Sequence, residues 1–183
     1  MNAREGFKIH SSGVDKYCDP PIIEVHHYSF KTHLSKKDGY MVRVERFPFD
    51  LYVVKFFKRD HKSRKDKYNV LTNEGIALRV IYTCVEVALD IHRKNPNASF
   101  GFVGSPTEKE KQNKMLYRTK RFRVYEKFAS FFFSPENYEH AAVYDKSGYL
   151  ILNRKKLSEE ANMKESILDM FESTYNIDSL LLN

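Results

Sequence analysis

The chain has 183 residues, 42% hydrophobic and 14% aromatic, which fits one domain with a core large enough to fold without disulfides or a metal. Its formal charge of +7 sets up a field that draws anions such as nucleotide phosphates or nucleic acid. Cys18 and Cys84 stand far apart with no Cys or His at metal spacing, no apolar run reaches membrane-spanning length, and the opening MNAREGFKIHSS lacks the apolar core of a secretory signal. The expectations are therefore no disulfide framework, no metal, no membrane and a cytoplasmic location.

Residues 1–21 carry Gly6, Gly13 and the Asp19-Pro20-Pro21 turn with little periodicity, and they read as an irregular N-terminal arm ahead of one domain over 22–183. Ile22 to Lys31 is β-branched and aromatic, Lys36-Lys37-Asp38-Gly39 supplies turn chemistry, and Tyr40 to Phe47 alternates apolar with charged residues, which makes a hairpin. After Pro48, the almost unbroken apolar run Leu51 to Phe57 reads as a third, more deeply buried strand. Lys58 to Lys67 is too charged for a core and reads as a solvated loop.

Thr72 or Asn73 is positioned to cap a helix in which Ile76, Val80, Ile81, Cys84, Val87, Ala88 and Ile91 recur three and four apart, and Asn95-Pro96-Asn97 stops it. Ala98 to Val103 is a short strand, and a helix this long between two strands implies a parallel crossover. A second helix is expected from roughly Lys109 to Phe133, with Met115, Phe122, Tyr125, Ala129 and Phe132 on one stripe. Ala141 to Tyr144 and Tyr149 to Leu152 flank the turn Asp145-Lys146-Ser147-Gly148, and Ser158 opens a last helix with Met163, Ile167, Met170 and Phe171 facing inward. The fold class read from this order is α/β (α+β), with a mixed, mostly antiparallel sheet in the order βββ-α-β-α-ββ plus a C-terminal helix.

Chemistry-bearing patterns are sparse. No Gly-x-Ser-x-Gly, P-loop or His-Glu-x-x-His pattern occurs, and His26 and His27 point to opposite faces of one strand, so they cannot share a metal. Cations concentrate in two places. Lys58, Arg59, Lys62, Arg64 and Lys65 lie in the charged loop; Lys114, Arg118 and Arg121 share a stripe of the expected second helix, with Tyr117 beside them to stack on a base. Gly75 costs a helix start about 1 kcal/mol relative to alanine, and close approach of a ligand or close packing of helix on strand each answers for it.

The element order and the loop Thr72-Asn73-Glu74-Gly75-Ile76-Ala77 resemble the GNAT superfamily of N-acetyltransferases. In that superfamily a strand leads through an Arg/Gln-x-x-Gly-x-Gly/Ala loop into a helix whose first N–H groups hold the pyrophosphate of coenzyme A. The glycine and alanine spacing matches here; Thr72 stands at the family's basic or amide position, and Glu74 adds a negative charge. The two family helices that help shape the acceptor site have no counterpart in residues 1–21, so the likeness covers about residues 22–155. It implies acetyl-CoA or another acyl-CoA as ligand, Thr72, Asn73, Gly75, Ile76 and Ala77 as its contacts, and Tyr125, in Arg121-Phe122-Arg123-Val124-Tyr125, as the acid that protonates the departing thiolate. The stretch Asn95-Pro96 to Phe102, followed by Leu116-Tyr117-Arg118, also resembles small proteins of Bacteroidetes, which implies no activity.

Three functional readings follow. The first is an acyl-CoA-dependent N-acyltransferase, or a descendant that keeps the scaffold without the chemistry. The second is a basic nucleic-acid-binding module, and the third a partner-binding protein docking through Leu180-Leu181-Leu182.

Overall fold

Alternating apolar and charged residues give period-two strands, and the almost unbroken apolar run Leu51 to Phe57 supplies the centre of the sheet. In the computed structural model, which describes residues 6–32, 39–68, 75–104, 106, 108–113, 117–144 and 147–175, the strands are β1 (Ile9–Asp15), β2 (Glu24–Lys31), β3 (Gly39–Phe47), β4 (Leu51–Lys58), β5 (Ser99–Val103), β6 (Tyr138–Val143) and β7 (Gly148–Asn153). They form one sheet in the order β1-β2-β3-β4-β5-β7-β6. Every neighbouring pair is antiparallel except β4 and β5, which run parallel with α1 (Ala77–Lys94) between them in sequence. The expected mixed, mostly antiparallel fold class is the one observed.

The two faces of the sheet are covered by different helices. Tyr28, Val42, Val44, Val54, Phe100 and Ile151 pack beneath α1 and α3 (Lys120–Phe132), which contribute Val80, Cys84, Ile91, Phe122, Tyr125 and Ala129. On the other face Phe47, Leu51, Val53, Leu150 and Leu152 meet Met163, Ile167 and Phe171 of α5 (Met163–Thr174). Burying one large aliphatic or aromatic side chain is worth roughly 1.5–3 kcal/mol, so these two clusters dominate stability. The described residues include no helix long and apolar enough to cross a membrane, and no group of three or more His, Cys, Asp or Glu able to hold a metal.

Three sequence expectations are corrected. Residues 9–15, assigned to an irregular arm, form an edge strand paired with β2 from Ile9↔Phe30 to Asp15↔Val25. Phe7 anchors the segment before it, stacking on Phe30 at 5.5 Å and donating its N–H to the Thr83 hydroxyl at 2.9 Å. The single helix expected over 109–133 is two, α2 (Glu108–Gln112) and α3, because Arg118 takes a left-handed φ of 48° and Thr119 starts the chain afresh as an N-cap. The last helix starts not at Ser158 but at Met163, after a short α4 (Arg154–Leu157) and a left-handed Asn162.

Thr119 is a joint as well as a cap. Its hydroxyl oxygen accepts the Phe122 N–H at 3.2 Å and donates to the Gly104 carbonyl at 2.5 Å, tying α3 to the end of β5. Thr119→Ala therefore removes an N-cap and leaves a buried carbonyl without its donor, a loss of about 1–3 kcal/mol, while Thr119→Ser keeps most of the stability. The midpoint of urea unfolding reads the difference; equal midpoints for the alanine and serine variants would contradict it.

Candidate ligand cleft between β4 and β5

The parallel pair is only partly zipped. β4 and β5 are in register from Leu51↔Ser99 to Val54↔Phe102, and there the ladder stops. β4 continues to Lys58, held by β3 through pairs from Arg43↔Lys55 to Tyr40↔Lys58. β5 is drawn away after Val103: Gly104 donates its N–H to the Ser147 carbonyl at 2.9 Å while its carbonyl is taken by Thr119. A Cβ on Gly104 would stand 2.6 Å from the Phe122 nitrogen, so a glycine is needed for the strand exit to lie this close to α3. Residues 55–58 consequently have β3 on one flank and, among the described residues, no strand on the other.

Two adjoining cavities occupy this wedge. One of about 100 Å³ is lined by Val54, Lys55, Val103, Tyr68, Tyr125 and Tyr175. The other, about 240 Å³, is lined by Phe57, Ala77, Val80, Lys58, Lys67 and Lys120; Phe56, Tyr68 and Arg121 border both. The charged loop after β4 folds over the open end. Arg121 donates to the Tyr68 carbonyl, the Tyr68 ring meets Phe57 edge-on at 5.4 Å, and the Lys67 ammonium sits 4.9 Å from the centre of the Phe57 ring. The walls are thus aromatic and the rim is cationic.

The start of α1 forms part of the second cavity. Ala77 and Val80 of its first turns line that cavity; Ile76 is the N-cap residue and offers no side-chain cap, and the first turn carries no acid. Gly75 precedes the helix instead of lying in its first turn. Its φ is +68° and nothing stands within 4 Å of where a Cβ would project, so backbone conformation, not helix-to-strand packing, requires glycine there.

Tyr125 stacks on Phe102 with ring centres 5.2 Å apart, and among the described residues no hydrogen bond holds its hydroxyl. Burial pushes its phenol well above the ordinary tyrosine range, against a smaller opposing effect from Arg121, so it stays protonated. Across the small cavity lies a polar cluster from the opposite face. Glu45, 4% exposed, accepts from Lys55 Nζ at 2.6 Å, the Tyr175 hydroxyl at 2.7 Å and Arg43 Nε at 2.9 Å. Burial pushes the Glu45 carboxyl up, but the Lys55 charge and these hydrogen bonds outweigh it and hold the pKa below the usual range. Burial pushes the Lys55 amine down; the Glu45 carboxylate offsets part of this, and Arg43 and Lys67 add smaller downward pushes.

The fold sorts the residues named from sequence. Gly75, Ile76, Ala77, Lys58, Lys65, Arg121 and Tyr125 border or adjoin the wedge; Thr72, Asn73 and Lys114 lie outside the described residues. Arg59 and Lys62 are exposed, and Arg64 is held by Asp66 at 2.7 Å. Tyr117 is exposed, and Arg118 lies 5.3 Å over the Tyr144 ring and 3.5 Å from Glu126. Because α3 starts only at Lys120, Arg118 and Arg121 do not share the helix stripe expected for them. Sequence reasoning assigned no site role to Glu45, Lys55 or Tyr175, although a lysine inside the almost unbroken apolar run of β4 was a usable signal.

Glu45→Gln leaves Lys55 and Arg43 without their counter-charge and lowers stability by about 3–5 kcal/mol at neutral pH. The depressed folded-state pKa makes this contribution complete above the ordinary carboxylate range and lost as pH falls through the lower folded value, so the gap between wild type and variant narrows in acid. Urea unfolding at several pH values checks it, and a gap independent of pH would contradict it. Compared with models of protein families, with curated proteins and with solved structures, the chain matches none.

Proposed function

We propose that the wedge between β4 and β5 is an acyl-CoA site, and that the chain is a divergent GNAT-like acyl-CoA-dependent N-acyltransferase. The observation that carries the reading is the unzipped end of a parallel strand pair, walled by aromatic rings, rimmed by cations and abutting the start of a helix whose N-cap residue, Ile76, provides no side-chain cap. Each part answers to a part of the ligand. The unpaired flank of residues 55–58 offers backbone groups to the amides of a pantetheine arm in the manner of an added strand. The N–H groups at Ile76 and Ala77, with Lys58, Lys67 and Lys120 around the same cavity, answer to the pyrophosphate. The mismatch at Thr72 and Glu74 is compensated by these cations, which come from β4, the folded-over loop and α3.

Tyr125 supplies the proton. A buried phenol that stays protonated, borders the cavity and has, among the described residues, no competing hydrogen bond is suited to protonate a departing thiolate. The arrangement does not favour the nucleic-acid reading to the same degree, because Tyr117 and Arg118 lie apart from the cations at the wedge.

Acetyl-CoA is expected to raise the melting temperature, since a ligand at 100 times its Kd adds about 2.7 kcal/mol of stability. Replacing Lys67 and Lys120 together with Gln is expected to weaken binding about tenfold, equivalent to about 1.4 kcal/mol. Tyr125→Phe lowers turnover with a small amine acceptor while leaving acetyl-CoA affinity near wild type. Titration calorimetry and a thiol-release assay read these. No heat and no thermal shift from folded protein at millimolar acetyl-CoA, with steeply salt-dependent binding of a single-stranded oligonucleotide, would replace the reading by the nucleic-acid one.

A further inference from the structure

The small cavity contains a nucleophile that a plain acyl-CoA site does not need. Lys55 sits at the first position of β4 beyond its pairing with β5, lines the same cavity as Tyr125, and holds its ammonium 2.6 Å from the Glu45 carboxylate. A lysine pointing inward on a strand is costly to bury, and here its ammonium lies over Tyr175, with Nζ 4.6 Å from the ring centre. Glu45 does not depend on it alone, because Arg43 and the Tyr175 hydroxyl hold the carboxylate from other sides.

We infer that Lys55 is itself an acyl acceptor, so that the domain acylates its own cleft. The inference rests on the acyl-CoA reading and names one acceptor for it. The Lys55 ammonium first gives one proton through Glu45 to water, and the neutral amine then attacks the thioester carbonyl carbon; the C–N bond forms, the C–S bond breaks, and the coenzyme leaves as a thiolate that takes the Tyr125 proton. The second proton lost from the nitrogen passes to Glu45 and on to water, and Tyr125 regains its own from water, so the net products are an amide and a free thiol. Burial favours the neutral amine that the attack requires. The amide product carries no charge, so the Lys55 to Glu45 ion pair and the cation over Tyr175 are both lost, while Arg43 and Tyr175 still satisfy the carboxylate. Acylation therefore both fills the small cavity and releases one tie between β4 and the segment that ends α5.

The full chain incubated with millimolar acetyl-CoA gives both answers in one sample: thermal shift for binding, and intact mass with peptide mapping for modification. The expected result is one acetyl group on Lys55, formed about tenfold faster than on exposed Lys62, a ratio of about 1.4 kcal/mol. Lys55→Arg, which keeps a cation beside Glu45, removes that modification, and Lys62→Arg does not. Should Lys55→Arg fail to fold, Tyr125→Phe serves, since it slows acetylation of Lys55 and leaves that of Lys62 unchanged. A thermal shift without acetyl-Lys55, or with Lys55 reacting no faster than Lys62, overturns the inference and leaves the acyl-CoA reading standing. No thermal shift at all overturns both.

Discussion

The architecture turns on one unfinished ladder. A parallel strand pair gains from each further bond it closes, and β4 has four residues left when the pairing stops at Val54 and Phe102. What prevents completion is the pull on β5 from its other side, where Gly104 is bonded to Ser147 and Thr119 and lies against the backbone of Phe122. β3 meanwhile keeps β4 straight to Lys58. A wedge held open by ordered backbone on both sides is pre-formed, and a ligand entering it need not spend binding energy on opening it.

The wedge also joins the two cores. Above the sheet, α1 and α3 bring the start of α1, Tyr125 and the cations Lys120 and Arg121; below it, the end of α5 brings Tyr175 onto Glu45. The cluster of buried Glu45 with half-buried Lys55 and Arg43 borders the small cavity, and Tyr175 of the lower core closes on it. Buried ion pairs are weak stabilisers relative to apolar packing, and retaining one at a cavity is more readily explained by chemistry than by stability.

The sequence made the centre of this fold legible because each of its elements is periodic over many residues. The alternation in Tyr40 to Phe47 and the three-and-four spacing from Ile76 to Ile91 leave little room for another reading, and the parallel crossover follows from helix length. Where the readings failed, a local conformation decided. The break between α2 and α3 depends on the left-handed Arg118 and the hydroxyl of Thr119, and β1 depends on pairing with β2 because its own residues are polar and exposed. The site was half visible: Gly75 to Ala77 and Tyr125 came from a spacing and a motif, whereas Lys55, Glu45 and Tyr175 meet only because three distant segments converge.

The central claim is that the wedge, and not the outer cationic surface, is the ligand site. Amide hydrogen exchange with and without saturating acetyl-CoA tests it most directly, because exchange reports protection segment by segment. Protection of peptides spanning residues 55–68 and 75–80, with none in β1 over 9–15, is the expected pattern. Unchanged exchange in both wedge segments, or protection confined to the exposed surface around Tyr117 and Arg118, would contradict it.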